Sequence, residues 1–288
     1  MNQLIDSLER IVSLKPSQIA IVSLREEVSY QQLWQESEEL LVLLKAGGVH
    51  KGEIVAINVD DRYRAIVSIV ALYRMGCGYL PLDPVYPVER LNYMLKNSGV
   101  RCLVADNSRL AAADVSTFDL DSSVWSGTGR ITTADVVDNP GYIIYTSGST
   151  GQPKGVNLSM SVLESLLSWQ NTRYGQSPAP VTAQFSALSF DVSFQEIFST
   201  LLIGGTLILV PDDVKRDFSQ LVDFIAENKI QRIFMPYIAL LNLTQWAVRL
   251  NKYPTQLKEV ITAGEQLLTN HEIKTFFRHC SSARLINQ

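Results

Sequence analysis

Residues 142–156 carry the residue types that most clearly suggest chemistry in this chain. They read YIIYTSGSTGQPKGV, an apolar run followed by hydroxyl groups, glycines and a lysine. Glycine lets backbone N–H groups converge on an anion, hydroxyls donate hydrogen bonds, and Lys154 adds a mobile positive charge. The segment therefore predicts a loop that binds a polyphosphate. The hydroxyls belong to Thr146, Ser147, Ser149 and Thr150, and the glycines are Gly148, Gly151 and Gly155.

The order of residues in this loop excludes a Walker-type phosphate loop. That loop reads G-x-x-x-x-G-K-[ST], whereas here Lys154 follows Pro153 and precedes Gly155. A surface Ser/Gly turn with a solvated lysine is the alternative interpretation. The strand-forming residues that lead into the loop, and its stiff Pro-Lys-Gly ending, favour phosphate binding over that alternative.

The segment from Tyr145 to Gly155 resembles the signature loop of the adenylate-forming (AMP-binding) enzymes, specifically of nonribosomal peptide synthetase adenylation domains. The resemblance implies that ATP and Mg²⁺ are cofactors. The loop would hold the β and γ phosphates while a substrate carboxylate attacks the α phosphorus, and Lys154 would be catalytic by neutralising charge. The implied ATP contacts are Thr146, Ser147, Gly148, Ser149, Thr150, Gly151, Lys154, Gly264 and Glu265.

Two later segments resemble the same family. Residues 190–198 read FDVSFQEIF and hold Asp191 among apolar residues, where a carboxylate either caps the following helix or meets a cation. By resemblance, Asp191 pairs with the α-amino group of an amino acid. Residues 260–267 read VITAGEQL and resemble the strand and turn beside the adenine and the substrate. For the Gly264-Glu265 pair an ordinary strand end is the alternative.

The resemblance also implies a set of positions that select the substrate. Together they describe a small apolar pocket with one anionic anchor, which looks like the pockets that take proline. The product would be an aminoacyl-adenylate whose acyl group passes to the thiol of a peptidyl carrier protein. The implied positions are Asp191, Val192, Gln195, Ile238, Ile261 and Ala263, and the match around Ile238 is loose.

Two further functions remain open from the sequence. An acyl- or aryl-CoA ligase would use the same phosphate loop, although Asp191 argues against it. A catalytically silent fragment or interaction module is the third hypothesis. The family also often has a histidine shortly after the loop, where this chain has Met160, which is expected to pack rather than to hydrogen-bond.

Composition narrows the class of protein. The 288 residues are 46% hydrophobic and 19% charged with a net charge of −4, so neither nucleic acid nor an anionic membrane is expected as a primary partner. No run is apolar enough to span a bilayer and no signal peptide is visible, which predicts a cytoplasmic location. The isolated Cys77, Cys102 and Cys280 are expected to be reduced core residues. His271 and His279 are eight residues apart, so no metal site is predicted.

The elements that must position these residues alternate between strands and helices, which predicts an α/β fold. Helices are expected from Tyr30 to the glycines at 47–48, over residues 64–75 and over residues 88–95. The segments 28–33 and 72–83 resemble the family's first core motifs and are interpreted as structural, a helix cap and a tight helix-to-strand turn.

The resemblance implies layered α/β subdomains of the large N-terminal domain of adenylate-forming enzymes, with helices over mixed or parallel sheets. Residues 1–288 would form the N-terminal, AMP-binding portion of an adenylation domain, and the C-terminal lid domain would be absent. The stretch 107–140 is rich in Ser, Thr, Asp and Gly, so it is expected to be a linker near a subdomain boundary.

Overall fold

The computed structural model describes residues 3–106, 110, 115–126, 139–147, 152–174 and 179–288. Over these residues the chain forms two compact units, each containing one seven-stranded sheet. A boundary near residues 107–140 is expected from the sequence, but the described residues of that stretch belong to the first unit. The first unit comprises Met1–Pro16, Tyr30–Thr172 and Leu188–Asp191, and the second comprises Ser17–Ser29, Arg173–Ala187 and Val192–Gln288.

Strands and helices alternate along most of the chain. The strands are β1 (Ile19–Val22), β2 (Glu27–Ser29), β3 (Ile54–Asn58), β4 (Gly78–Pro81), β5 (Cys102–Ala105), β6 (Ser116–Asp119), β7 (Val124–Ser126), β8 (Pro140–Thr146), β9 (Lys154–Ser159), β10 (Val181–Gln184), β11 (Thr206–Leu209), β12 (Arg232–Phe234), β13 (Glu259–Thr262) and β14 (Arg284–Asn287). The helices are α1 (Gln3–Leu14), α2 (Tyr30–Ala46), α3 (Arg62–Met75), α4 (Val88–Ser98), α5 (Met160–Tyr174), α6 (Asp191–Leu201), α7 (Asp212–Arg216), α8 (Phe218–Glu227), α9 (Tyr237–Leu250) and α10 (His271–His279).

The sheet of the first unit has the order β7-β6-β5-β3-β4-β8-β9. Its inner strands are parallel, while β7 and β9 pair antiparallel at the two edges. Its core includes Leu80, Leu103 and Leu95, all buried. Strands β3, β4 and β5 are buried and largely apolar and are joined by α3 and α4, as expected when helices cover the faces of a parallel sheet.

The segment from α3 to β4 is a tight helix-to-strand turn, as the sequence predicts. The Asp61 side chain accepts a hydrogen bond from the Arg64 backbone at the start of α3, and Gly76 ends the helix with a φ of 73°. A Cβ atom on Gly78 would lie 2.9 Å from the Gly141 carbonyl oxygen. Glycine at 78 therefore lets β4 and β8 approach closely, which fixes the start of the strand that leads to the phosphate loop.

The sheet of the second unit has the order β14-β13-β12-β10-β11-β1-β2. All neighbours are parallel except β1 and β2. Residues such as Ile233, Val260 and Leu240 form its buried core. The predicted α/β class with mixed sheets is confirmed in both units.

The three cysteines are free and buried, as predicted. Burial raises the pKa of the Cys77 thiol to about 12 and that of Cys280 to about 11. Thiols held in the protonated form are poor nucleophiles, so these residues act as small apolar core residues. Within the described residues, no helix is both long and apolar enough to cross a membrane.

A buried ion pair joins two strands of the second unit. Arg232 Nε lies 2.7 Å from Glu259 Oε2, and the two side chains are 2% and 1% exposed. Arg284 contacts the other carboxylate oxygen at 3.1 Å from the partly exposed β14. Removing one partner of such a pair leaves an uncompensated charge in the interior, which costs much more than the pair itself contributes.

We expect Glu259→Ala to lower the free energy of unfolding by about 3–5 kcal/mol, because the guanidinium of Arg232 would stay buried without its carboxylate. Urea unfolding followed by circular dichroism measures this. The exposed pair of Lys252 and Asp223, at 2.7 Å, provides the control, and Lys252→Ala should cost less than about 1 kcal/mol. Equal losses in the two variants would contradict the assignment of the cost to burial.

Candidate functional site

The phosphate loop predicted from the sequence connects the two strands of an antiparallel hairpin. In the register of β8 and β9, Thr146 lies opposite Lys154 and Tyr145 lies opposite Gly155. Thr146, Ser147 and Lys154 are exposed at the end of the pair where the loop joins the two strands. The hairpin therefore brings two predicted hydroxyl donors and the predicted cation to the same end of the sheet. Of the other predicted contacts, Gly148, Ser149, Thr150 and Gly151 lie outside the described residues.

Two tyrosines anchor this hairpin to α4. Tyr145 OH donates to Met94 O at 3.2 Å and to Asn97 Oδ1 at 2.8 Å. Tyr93 OH donates to the carbonyl oxygen of Pro153 at 3.3 Å, on the other side of the loop. Burial raises the pKa of Tyr145, so its hydroxyl remains a donor. These anchors were not predicted from the sequence, because a tyrosine in an apolar strand or on a helix is typical of a core residue.

Gly155 makes room for the anchor ring. A Cβ atom at this position would lie 3.1 Å from Tyr145 Cζ and 3.1 Å from Ile143 Cγ2. Both contacts are tighter than ordinary van der Waals packing. Gly155 thus lets β9 lie close to the Tyr145 ring across the hairpin. This packing keeps the register in which the neighbouring Lys154 lies opposite Thr146.

Asp191 is exposed as the first residue of α6, and it belongs to the first unit, as the hairpin does. Its charge acts on Tyr142, a residue of β8. Burial mainly, and the negative charge of Asp191 in addition, raise the pKa of Tyr142 to about 12. A carboxylate at this position can attract a cation. It lies close enough to β8 for its negative charge to raise the pKa of Tyr142 on that strand.

Helix α6 continues in the second unit with the next predicted substrate contacts. Val192 and Gln195 are partly buried. Gln195 Oε1 is buried and has no hydrogen-bond partner among the described residues. A buried amide oxygen without a partner is unfavourable, so the site is suited to a ligand or water that can donate a hydrogen bond.

Glu196 follows Gln195 and is fully buried. Burial raises the pKa of its carboxyl group to about 7, although three hydrogen bonds, from the Ser186 and Phe185 backbone and the Ser186 hydroxyl, and the charge of Lys215 act in the opposite direction. This residue was not predicted from the sequence. Its signal was an acidic residue close to the apolar residues Phe194, Ile197 and Phe198, where a buried carboxylate needs partners.

The other predicted contacts lie at the end of β13 and the start of α9. Ile261 is 1% exposed within β13, and Gly264 turns the chain after it with a φ of 83°. Ala263 is partly buried and Glu265 is exposed. Ile238, in the first turn of α9, is 59% exposed. In this unit the structure therefore presents a buried strand, a glycine turn and an exposed aliphatic side chain.

The donor set at the hairpin fits a polyphosphate. Hydroxyls and a lysine ammonium are ordinary phosphate ligands, and the described donors Thr146, Ser147 and Lys154 are exposed rather than buried in the core. The described residues contain no group of three His, Cys, Asp or Glu that could hold a metal ion. Phosphate oxygens and water are the usual ligands of Mg²⁺ beside nucleotides, so this donor set is compatible with an ATP-bound Mg²⁺. Met160 is 1% exposed at the start of α5 and packs, as predicted.

The chain is similar to known peptide synthetases along almost its whole length. Gramicidin S synthase 2 of Brevibacillus brevis is 34% identical over 269 residues, which cover 92% of this chain and 6% of that protein. Tyrocidine synthase 2 of Brevibacillus parabrevis is 33% identical and covers 91% of this chain and 7% of that protein. The chain thus spans less than a tenth of the length of these curated relatives.

A solved structure shows the same fold. The N-terminal subdomain of Klebsiella oxytoca NpsA, in complex with 3-hydroxybenzoyl-AMSN, has a TM-score of 0.80 at 21% identity over 98% of this chain and 71% of that one. The fold predicted from the sequence, that of the large N-terminal domain of adenylate-forming enzymes, is therefore confirmed. The family model "AMP-binding enzyme" matches residues 8–287, and the chain therefore belongs to the AMP-binding enzyme family.

Proposed function

We propose that the protein containing this chain activates an amino acid with ATP. The observation that carries the proposal is the presence of the hairpin donors and Asp191 in one compact unit, where the charge of Asp191 reaches β8. Tyr142 and Thr146 are four residues apart on β8, a span of about 13 Å. The first unit thus carries both Lys154, a cation for the phosphates, and Asp191, an anion for a substrate ammonium.

The reaction would be an attack of the substrate carboxylate on the α phosphorus of ATP. One carboxylate oxygen bonds to that phosphorus, the bond from it to the bridging oxygen of the β phosphate breaks, and pyrophosphate leaves. Lys154, Thr146 and Ser147 would hold the β and γ phosphates and offset the charge that develops on the leaving group. When bound, Mg²⁺ would add to the same charge neutralisation.

We further propose that the substrate is a small amino acid such as proline. Asp191 and Gln195 are four residues apart on α6 and lie on one face of that helix. The secondary ammonium of proline has two N–H donors, which matches one carboxylate and one unpaired amide oxygen. The side chains of Val192 and Ile261 are aliphatic, so they require no polar group on the substrate. The adenylated amino acid would then pass to the thiol of a peptidyl carrier protein, a partner class that the similarity to peptide synthetases supports.

Pyrophosphate exchange into ATP distinguishes the candidate functions. Exchange that depends on proline supports the proposal, while exchange with only a fatty acid or benzoate would favour an acyl- or aryl-CoA ligase. A silent fragment predicts no exchange with any acid. ATP binding to the chain, measured by calorimetry, separates a silent fragment that retains the nucleotide site from one that does not.

Lys154→Ala is expected to weaken ATP binding by about 10- to 100-fold, because one charge-assisted hydrogen bond to phosphate contributes roughly 1.5–3 kcal/mol. Calorimetric titration with ATP measures the change. Lys45→Ala is the matched control, since Lys45 is an exposed lysine in the last turn of α2 in the same unit. If both variants bind ATP like the parent protein, Lys154 is not a phosphate ligand.

Asp191→Asn is expected to raise the KM for the amino acid by about 10- to 100-fold and to leave the KM for ATP unchanged, because only the ammonium loses its counter-charge. The exchange assay with each substrate varied in turn measures both constants. Asp213→Asn is the control, because Asp213 is also an exposed acid in the first turn of a helix, α7. A parallel rise in both KM values would argue for general damage to the fold.

A further inference from the structure

Glu196 is a fully buried carboxylate that the proposed reaction does not use. It lies on α6 directly after Gln195 and four residues after Val192, so it is attached to the helix that carries the proposed substrate contacts. Its partners belong to the segment that follows β10. A carboxyl group is costly to bury unless it is hydrogen-bonded, so its partners indicate what it does at this position.

The carboxylate of Glu196 receives hydrogen bonds from three consecutive residues. The backbone N–H of Ser186 donates to Oε1 at 3.0 Å and its hydroxyl to the same oxygen at 3.0 Å. The Phe185 N–H also donates to Oε1 at 3.2 Å, and Gln184 Nε2 donates to Oε2 at 2.9 Å. Four donors thus converge on one side chain and join α6 to residues 184–186. We refer to this arrangement as the Glu196 staple.

The staple restrains α6 in a way that apolar packing does not. The side chains of Phe194, Ile197 and Phe198 on α6 are buried, but apolar burial is non-directional, so a helix held by it alone can rotate or slide by small amounts at low cost. Hydrogen bonds to two oxygens fix both the position and the rotation of the helix. A shift of about 1 Å in a binding residue can change activity by about 100-fold, so this restraint is functionally relevant.

We propose that Glu196 is a positioning residue for amino-acid selection, and that it sets the register of Val192 and Gln195 through the staple. This inference rests on the proposed function. The carboxylate does not touch substrate or nucleotide in this assignment. Loss of the staple should therefore affect the choice and affinity of the amino acid and should leave nucleotide binding intact.

The test uses Glu196→Gln in the pyrophosphate-exchange assay, with the amino acid and ATP varied separately. Glutamine keeps the shape of the side chain but turns an NH₂ group toward donors, so the staple loses hydrogen bonds. The expected result is a rise of about tenfold in the KM for the amino acid, a KM for ATP within about twofold of the parent, and weaker discrimination between proline and other amino acids.

Asp217→Asn provides a closely matched control in the same unit. Asp217 caps α8 and accepts hydrogen bonds from two backbone N–H groups, one serine hydroxyl and one glutamine side-chain amide, as Glu196 does. It is not on α6. Its loss should reduce stability without a change in the KM for the amino acid.

Ser186→Ala tests the same staple from the other side and does not place a new polar group in the core. It should shift the amino-acid KM in the same direction, and the double variant with Glu196→Gln should show less than the sum of the two effects. If Glu196→Gln does not fold, Ser186→Ala alone decides. An unchanged amino-acid KM in an otherwise active protein overturns this inference alone, whereas a parent protein without amino-acid-dependent exchange overturns the proposed function and this inference with it.

Discussion

The antiparallel pairing of β9 with β8 is the constraint on which the proposed phosphate site depends. A parallel strand in place of β9 would need a long crossover and would carry Lys154 away from Thr146, whereas a hairpin returns the chain at once. Register matters equally, because a shift of one residue would move each side chain of β9 to the opposite face. Tyr145 fixes this register from one side, since its ring occupies the space above Gly155 and its hydroxyl bonds to α4.

Two carboxylates with nearly identical donors show how burial determines electrostatic behaviour in this chain. Asp217 and Glu196 each accept two backbone N–H groups, one serine hydroxyl and one glutamine amide. The hydroxyl of Ser219 first, and then the other donors, lower the pKa of the partly exposed Asp217 to about 2. Burial outweighs the same kind of donors at Glu196 and raises its pKa to about 7. Equal hydrogen bonding therefore leads to opposite shifts, and desolvation is the larger effect.

The sequence predicted those parts of the structure that local chemistry determines. Residues such as Leu33 and Leu44 recur at helical spacing in α2 and are buried as expected, and Gly76 ends α3 at the predicted residue. The short strands β2, β6, β7, β10 and β14 were not predicted, because three or four residues of mixed polarity carry little periodicity. Strand β9 was also missed, since Lys154 and its neighbours are exposed and become a strand only through pairing with β8.

The candidate site was predictable to the extent that the residue types and local motifs of its members point to chemistry. Lys154 and Asp191 were selected from residue type and resemblance, and the structure exposes both. Tyr93 and Glu196 were not selected, because their relevance lies in partners 60 and 10 or more residues away in sequence. Hydrogen bonds over such separations depend on the tertiary fold, and no local pattern encodes them. Residues that act through other residues in this way are therefore recognised only once the structure is known.

Helix α6 carries two acids whose environments suit the different roles proposed for them. Asp191 can attract a substrate cation only if it remains exposed and charged, which the helix start provides. Such an exposed residue cannot by itself hold the helix in place. Glu196, five residues further along, is buried and accepts hydrogen bonds from residues 184–186. The proposed roles of the two acids differ because the start of the helix is exposed to solvent while the next turn is buried, so exchanging these environments would suit neither role.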